Sequence, residues 1–164
     1  DRIVLIPVEL VMSAKYAIFI IASFFLLAGL GPGVYSSARA IAIGLRCAAL
    51  FLGAYIAGAA VTPALLPWLP GRSFSSKGGW AGFTFALVVG SYAWARPGVF
   101  ENGLSAVAWF LMIPAVASFL GMNFTGASTY TSLSGVRREM RVAVPLQILG
   151  AVAGLGLWLA GRFV

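Results

Sequence analysis

The chain alternates between long apolar runs and short polar breaks, and the apolar runs indicate its architecture. Each run approaches the roughly 20 mostly apolar residues with which an α-helix crosses a bilayer. Proline and glycine break the first three junctions, and both residues favour turns over continued helix. The pattern therefore predicts an all-α integral membrane fold, a bundle of five transmembrane helices within residues 11–164. The predicted spans are about 11–30, 38–61, 78–95, 104–122 and 142–163.

The first ten residues, DRIVLIPVEL, form a short alternating stretch ahead of the first run. In an extended chain Ile3 and Leu5 would share one face, with Val4 and Ile6 on the other. We therefore expect residues 1–10 to be a strand-like lead-in from a domain upstream of this chain. The alternative is an interfacial lead-in to the first helix, because short apolar runs fit either structure.

The overall composition also favours a membrane protein. Hydrophobic residues make up 61% of the chain and charged residues only 9%, with a mean hydropathy of +0.99; soluble domains carry about 25% charged residues. The net charge of +7 suits the basic loops of a membrane protein, which set its orientation and contact anionic lipids. The lipid bilayer is therefore the expected partner, and nucleic acid is not.

Five crossings would divide the lysines and arginines unequally between the two sides. The side of the N-terminus receives Arg2, Lys15, Arg72, Lys77, Arg137, Arg138 and Arg141. The opposite side receives Arg39, Arg96 and Arg162. Because cytoplasmic loops carry the excess of positive charge, we expect a multi-pass protein of the cytoplasmic (inner) membrane, with its N-terminus inside and its C-terminus outside.

Two polar segments would face the same side as the N-terminus: TPALLPWLPGRSFSSKGG at 62–79 and MNFTGASTYTSLSGVRREMR at 122–141. Hydroxyls, exposed amides and arginines suit an anionic group or the edge of a large polar cofactor. The alternative is a solvated loop with a helix cap at Ser132 or Ser134. The candidate contacts on this inner face are Arg72, Lys77, Asn123, Thr125, Ser128, Thr129, Tyr130 and Arg137.

The chain offers little chemistry of its own. It has no histidine, and its one cysteine, Cys47, lies within the second run, where a small buried apolar role is expected. None of the four acids pairs with another for acid–base catalysis, so we expect neither a self-sufficient enzyme nor a metal site. Arg46 lies roughly 10 Å into the second span, counted from Arg39. It either lines a polar interior or reaches outward to the interface.

The two polar segments, together with DRIVLIPVEL, resemble the C-terminal membrane domain of the mercury-methylating corrinoid protein family over essentially the whole chain. The resemblance implies an upstream cytoplasmic corrinoid domain, in which a cysteine of an Asn-Val-Trp-Cys-Ala cap-helix motif approaches cobalt. It also implies a ferredoxin-like partner with two four-iron clusters and the transfer of a methyl group to Hg(II). The cap-helix motif is not in this chain, and Cys47 does not match it.

Three functions follow as hypotheses. In the first, the chain is the membrane domain of a corrinoid-dependent mercury methyltransferase, which anchors and docks the corrinoid domain and the ferredoxin-like partner without catalysing the reaction itself. In the second, it is a small transporter or channel with Arg46 along the route. In the third, it is a purely structural membrane anchor.

Overall fold

The computed structural model describes residues 2–124 and 133–164. These residues form five long helices, as the apolar pattern predicts. They are α1 Arg2–Ala28, α2 Ser37–Ala64, α3 Phe74–Ala95, α4 Gly103–Phe124 and α5 Leu133–Ala160. The helix α2 passes through a π-helical turn at Ala57–Val61 before its last turn. A short hairpin, β1 Leu30–Gly31 and β2 Val34–Tyr35, joins α1 to α2.

The strand predicted for residues 1–10 is wrong, because residues 2–10 are the first turns of α1. An unpaired strand would leave its backbone N–H and C=O groups without partners, whereas a helix satisfies them internally. Pro7 lies within these turns and removes one such bond. The helix is held to its neighbour near this end, where the Tyr55 hydroxyl donates to the Leu10 carbonyl at 2.9 Å.

Consecutive helices run antiparallel, so the bundle has two distinct ends. Two contacts show these directions. Ser13, in the first half of α1, hydrogen-bonds Tyr55, in the second half of α2. Gly154, near the end of α5, lies against Ala108 and Met112, in the first half of α4. We call one end the basic end; it comprises the start of α1, loop 65–73, the start of α3, the end of α4 and the start of α5. The other, the closed end, comprises loops 29–36 and 96–102 and residues 161–164.

The helix α4 is the centre of the bundle. Both α3 and α5 pack along it, α2 crosses it, and α1 packs on α2. The central side chains Trp109, Ile113 and Ala117 are almost fully buried. Small residues let the helices approach closely: a Cβ on Gly78 of α3 would lie 2.5 Å from the Ala117 carbonyl oxygen.

Four helical segments are long and apolar enough to cross a membrane: Leu10–Ala28, Ser37–Ala64, Gly103–Asn123 and Arg137–Ala160. They correspond to four of the five predicted spans. The fifth, in α3, forms a helix of 22 residues that runs the same length of the bundle. It falls short in apolar character because glycines, tryptophans, a threonine, a serine and a tyrosine are interspersed along it, even within residues 78–95.

Candidate functional site

Hydrogen bonds and an ion pair between segments distant in sequence hold the closed end together. The Arg162 guanidinium is buried and donates to the carbonyls of Ala28 at 2.9 Å and Leu30 at 3.3 Å. It also forms an ion pair with Glu101 at 3.3 Å. The Asn102 side chain donates to the Gly161 carbonyl at 2.7 Å and accepts the first-turn amide of Ser105. The C-terminal residues are therefore tied to both loops of this end.

The ion pair of Glu101 and Arg162 affects the pKa of Glu101 at the closed end. Burial raises the pKa of Glu101 above its ordinary value, and the positive charges of Arg162 and Arg46 offset part of that rise. The ion pair is thus partly desolvated, and the loss of either partner would leave the other charge buried without compensation.

Arg46 reaches out to a loop of the closed end. Its guanidinium donates to the Gly98 carbonyl at 2.9 Å, so of the two interpretations of this residue the outward one matches its hydrogen bond. It lines neither of the two large cavities described below.

The basic end holds those predicted contact residues that the structure describes. Arg72 lies in loop 65–73, Asn123 ends α4, and Arg137 is exposed on the first turns of α5. Lys77 is occupied within the fold, because its ammonium donates to the Leu66 carbonyl at 2.6 Å and holds loop 65–73 to α3. Thr125, Ser128, Thr129 and Tyr130 lie outside the described residues.

The described candidates do not form one cluster. Asn123 lines an apolar cavity of about 690 Å³ between α1, α2, α4 and α5. Arg72 instead lines a cavity of about 890 Å³ between α3, α4 and α5, together with Arg138. The helix α5 separates the two cavities, and Gln147 lines both of them.

A closed ring of hydrogen bonds joins α3, α4 and α5 near the basic end. Gln147 of α5 donates to the Ser118 hydroxyl of α4 at 2.8 Å, and that hydroxyl donates to the Ser75 carbonyl of α3 at 2.8 Å. The Ser75 amide then donates to the Glu139 carboxylate of α5 at 2.7 Å. This amide lies in the first turn of α3, where no intrahelical acceptor exists, so a carboxylate stabilises it well.

The ring also fixes the orientation of the Gln147 amide. Ser118 has a single hydroxyl hydrogen, and Ser75 receives it; Ser118 therefore accepts from Gln147, and the group that faces it must be the NH₂. The Gln147 Oε1 atom consequently points away from Ser118. It is buried, with no hydrogen-bond partner among the described residues.

Sequence reasoning missed the ring, although one signal was present. Ser118 and Gln147 are polar residues within two otherwise apolar runs, and polar groups inside such runs often pair across helices. In the sequence, Glu139 is one of four dispersed acids and lies among Arg137, Arg138 and Arg141. Its role depends on the start of α3, which lies 64 residues away in sequence.

Potential metal-ligating side chains are dispersed in the described part of the chain. The residues of 2–124 and 133–164 contain no group of three or more His, Cys, Asp or Glu side chains arranged to hold a metal ion. The thiol of Cys47 is buried within α2, and the chain has no imidazole.

The chain matches no protein-family model, no curated protein and no solved structure.

Proposed function

We propose that this chain is the membrane domain of a larger protein, and that its basic end docks a soluble domain on one side of the bilayer. The observation that carries the proposal is the difference between the two ends of the bundle. At the closed end, a buried arginine and an asparagine fasten the loops to the C-terminus. At the basic end, Arg137, Arg138 and Arg141 are exposed on the first turns of α5.

The docking role fits the available chemistry better than catalysis does. Exposed arginines recognise carboxylates and phosphates through paired hydrogen bonds, which suits an acidic protein surface. The four acids of the chain are dispersed: Asp1 and Glu9 near the N-terminus, Glu101 in the ion pair and Glu139 in the hydrogen-bond ring. The chemistry of a larger protein would then reside in the domain that docks here.

The resemblance to the mercury-methylating corrinoid family extends this proposal to a specific partner. The docked unit would be a cytoplasmic corrinoid domain of the same protein, and the ferredoxin-like protein with two four-iron clusters would approach the same side. The positive charge of the basic end supports the orientation with the N-terminus inside, since cytoplasmic segments carry the excess of lysine and arginine.

The test uses the full-length protein that contains this chain, expressed in membranes with the ferredoxin-like partner, loaded with corrinoid and supplied with Hg(II). The Arg137→Gln/Arg141→Gln variant should form methylmercury about tenfold more slowly, because losing two positive charges weakens docking and slows association of the separate ferredoxin-like partner. The matched control is Arg96→Gln, an exposed arginine of loop 96–102 outside the basic end; its rate should equal that of the parent. Membrane association and corrinoid content are measured in parallel.

Each other result has a definite meaning. Equal methylation by parent and double variant would remove the docking role and leave a structural anchor. No methylmercury from the parent, with corrinoid and ferredoxin shown to be present, would overturn the methyltransferase assignment.

A further inference from the structure

We propose that the groove between α3 and α5 binds one anionic phospholipid, with its phosphate at Arg72 and Arg138 and an acyl chain along α4. The groove exists because α3 and α5 both pack on α4 and have almost no contact with each other among the described residues. Its floor is a stretch of α4 that includes Phe110, Pro114 and Ser118. The cavity has a volume of about 890 Å³, within the range of roughly 300–1,000 Å³ for small-ligand sites.

The lining changes from polar to apolar along the groove. Its mouth at the basic end contains Arg72, Arg138 and the first turn of α3, and its lower part is formed by Leu111, Leu146 and the neighbouring apolar residues. A ligand that matches this lining needs a polar head and an apolar tail. Leu146 is 63% exposed, so the lower part opens sideways from the bundle, where a bilayer would lie under the proposed function.

The length of the groove matches one leaflet. From Arg138 to Gly150, both of which line it, α5 advances by about 18 Å at 1.5 Å per residue. Half of the hydrocarbon thickness of a bilayer is about 15 Å. A single lipid from the leaflet next to the basic end therefore fits the groove with its head at the mouth.

The charge at the mouth selects an anionic head. Guanidinium groups bind phosphate oxygens bidentately, and basic pockets between transmembrane helices favour anionic lipid heads. Glu139 also lines the groove, but its carboxylate accepts the Ser75 amide. Arg137 and Arg141 stand beside it on α5 and leave the surroundings of the mouth positive.

The hydrogen-bond ring keeps this groove open at a fixed width. The ring ties α3 to α5 through Ser118 in the floor and through Glu139 at the mouth. Both links are polar and directional, so they set the spacing of the two helices without filling the space between them. The small residues Gly79 and Gly150 line the two walls and leave room for an acyl chain.

The experiment measures lipid binding by the intact protein in detergent micelles, by native mass spectrometry during titration with phosphatidylglycerol or phosphatidylcholine. We expect one phosphatidylglycerol per chain, bound about tenfold more tightly than phosphatidylcholine. Arg72→Gln/Arg138→Gln should remove this preference, and Leu146→Trp should weaken both lipids by narrowing the lower groove. The control Arg96→Gln, outside the basic end, should bind like the parent.

Four outcomes would overturn the proposal. Equal binding of the two lipids by the parent would exclude selection by charge, and a loss of preference in Arg96→Gln would place the site elsewhere. Competition by inorganic phosphate alone at equal concentration would show an anion site without a lipid tail. Dimers in place of lipid adducts would assign the groove to a second copy of the chain. The proposal rests on the membrane placement in the proposed function but not on docking, and none of these measurements depends on methylmercury formation, so either proposal can fail without the other.

Discussion

Arg162 concentrates more polar contacts than any other side chain at the closed end. It binds the carbonyl of Ala28 at the end of α1 and that of Leu30 in the following hairpin, and it pairs with Glu101 of the loop that precedes α4. The guanidinium carbon of Arg162 also lies 5.5 Å from the centroid of the Trp158 ring, within the range of a cation–π contact. A buried charge with this many partners destabilises the fold when any of them is removed, because the charge is then left uncompensated.

Replacing this residue should therefore destabilise the fold strongly. We expect Arg162→Met to lower the free energy of unfolding by about 3 kcal/mol, because Glu101 and two carbonyls lose their partner. The measurement is reversible unfolding in mixed micelles. Arg96→Met, the same change at an exposed arginine, should shift the free energy by no more than about 0.5 kcal/mol. Equal losses in the two variants would contradict the role of Arg162.

Glu101 should give the fold a dependence on pH of definite sign. Its pKa is raised in the folded protein above the ordinary value of 4.5, so the folded state binds more protons than the unfolded state as pH rises past 4.5. Stability therefore falls as pH rises through the window between the unfolded and the folded pKa. Glu101→Gln should remove that decline. If the free energies of unfolding of the parent and the variant changed with pH in the same way between about pH 4 and 7, Glu101 would contribute nothing to the pH dependence.

At the scale of helices, the bundle is organised by small residues on α4 and its neighbours. Gly154 of α5 allows the backbone to approach α4 so closely that a Cβ would lie 2.5 Å from Met112 and 2.8 Å from the Ala108 carbonyl. Gly156, two residues further on, has nothing within 4 Å of the same position. Substitution of the two glycines therefore tests close packing at one position and helix propensity at the other, within the same helix.

Substitutions at the two glycines should have opposite effects. Gly154→Ala should lower the free energy of unfolding by about 1–3 kcal/mol, because the new methyl group overpacks the α4–α5 contact. Gly156→Ala should leave it unchanged or raise it by up to about 1 kcal/mol, the gain in helix propensity. Reversible unfolding of both variants measures the difference. A loss in Gly156→Ala equal to that in Gly154→Ala would mean that α5 does not pack on α4 through Gly154.

The ring of Ser75, Ser118, Glu139 and Gln147 makes a further prediction at this scale. Ser118→Ala leaves the Gln147 amide buried without its acceptor and should cost about 1–3 kcal/mol. In the double variant Ser118→Ala/Gln147→Leu both polar groups are gone, so part of that loss should return. The same unfolding measurement gives the coupling between the two residues. Additive losses would show that the two side chains do not interact.

The helices could be predicted from the sequence because each is a local pattern of apolar residues. The contacts that join the helices could not be predicted in this way. Five runs of apolar residues predicted five helices, to within a few residues at most ends. The helices α1 and α5 each begin nine residues earlier than expected, α5 in the polar stretch that carries Glu139. The partners of Arg162 are up to 134 residues away in sequence, so no local pattern marks them. The lead-in was misjudged because a run of ten alternating residues fits a strand and a helix equally well.

For the molecule as a whole, the central claim is a membrane domain whose two ends face different compartments. Arg72 and Arg138 line one groove at the basic end, whereas Arg96 follows α3 in loop 96–102. The helix α3 connects the two ends and is the least apolar of the five proposed spans. Whether it crosses decides how many times the chain traverses the bilayer, and with it the side on which a docked domain must lie.

The most direct test is cysteine labelling of intact cells with a membrane-impermeant thiol reagent, in a Cys47→Ala background. Three single variants are compared: Arg72→Cys, Arg96→Cys and Arg138→Cys. The account predicts that only Arg96→Cys is labelled from outside, and that the other two react after the membrane is opened. Labelling of Arg72→Cys and Arg96→Cys from the same side would show that α3 does not cross, and it would contradict the five-span arrangement.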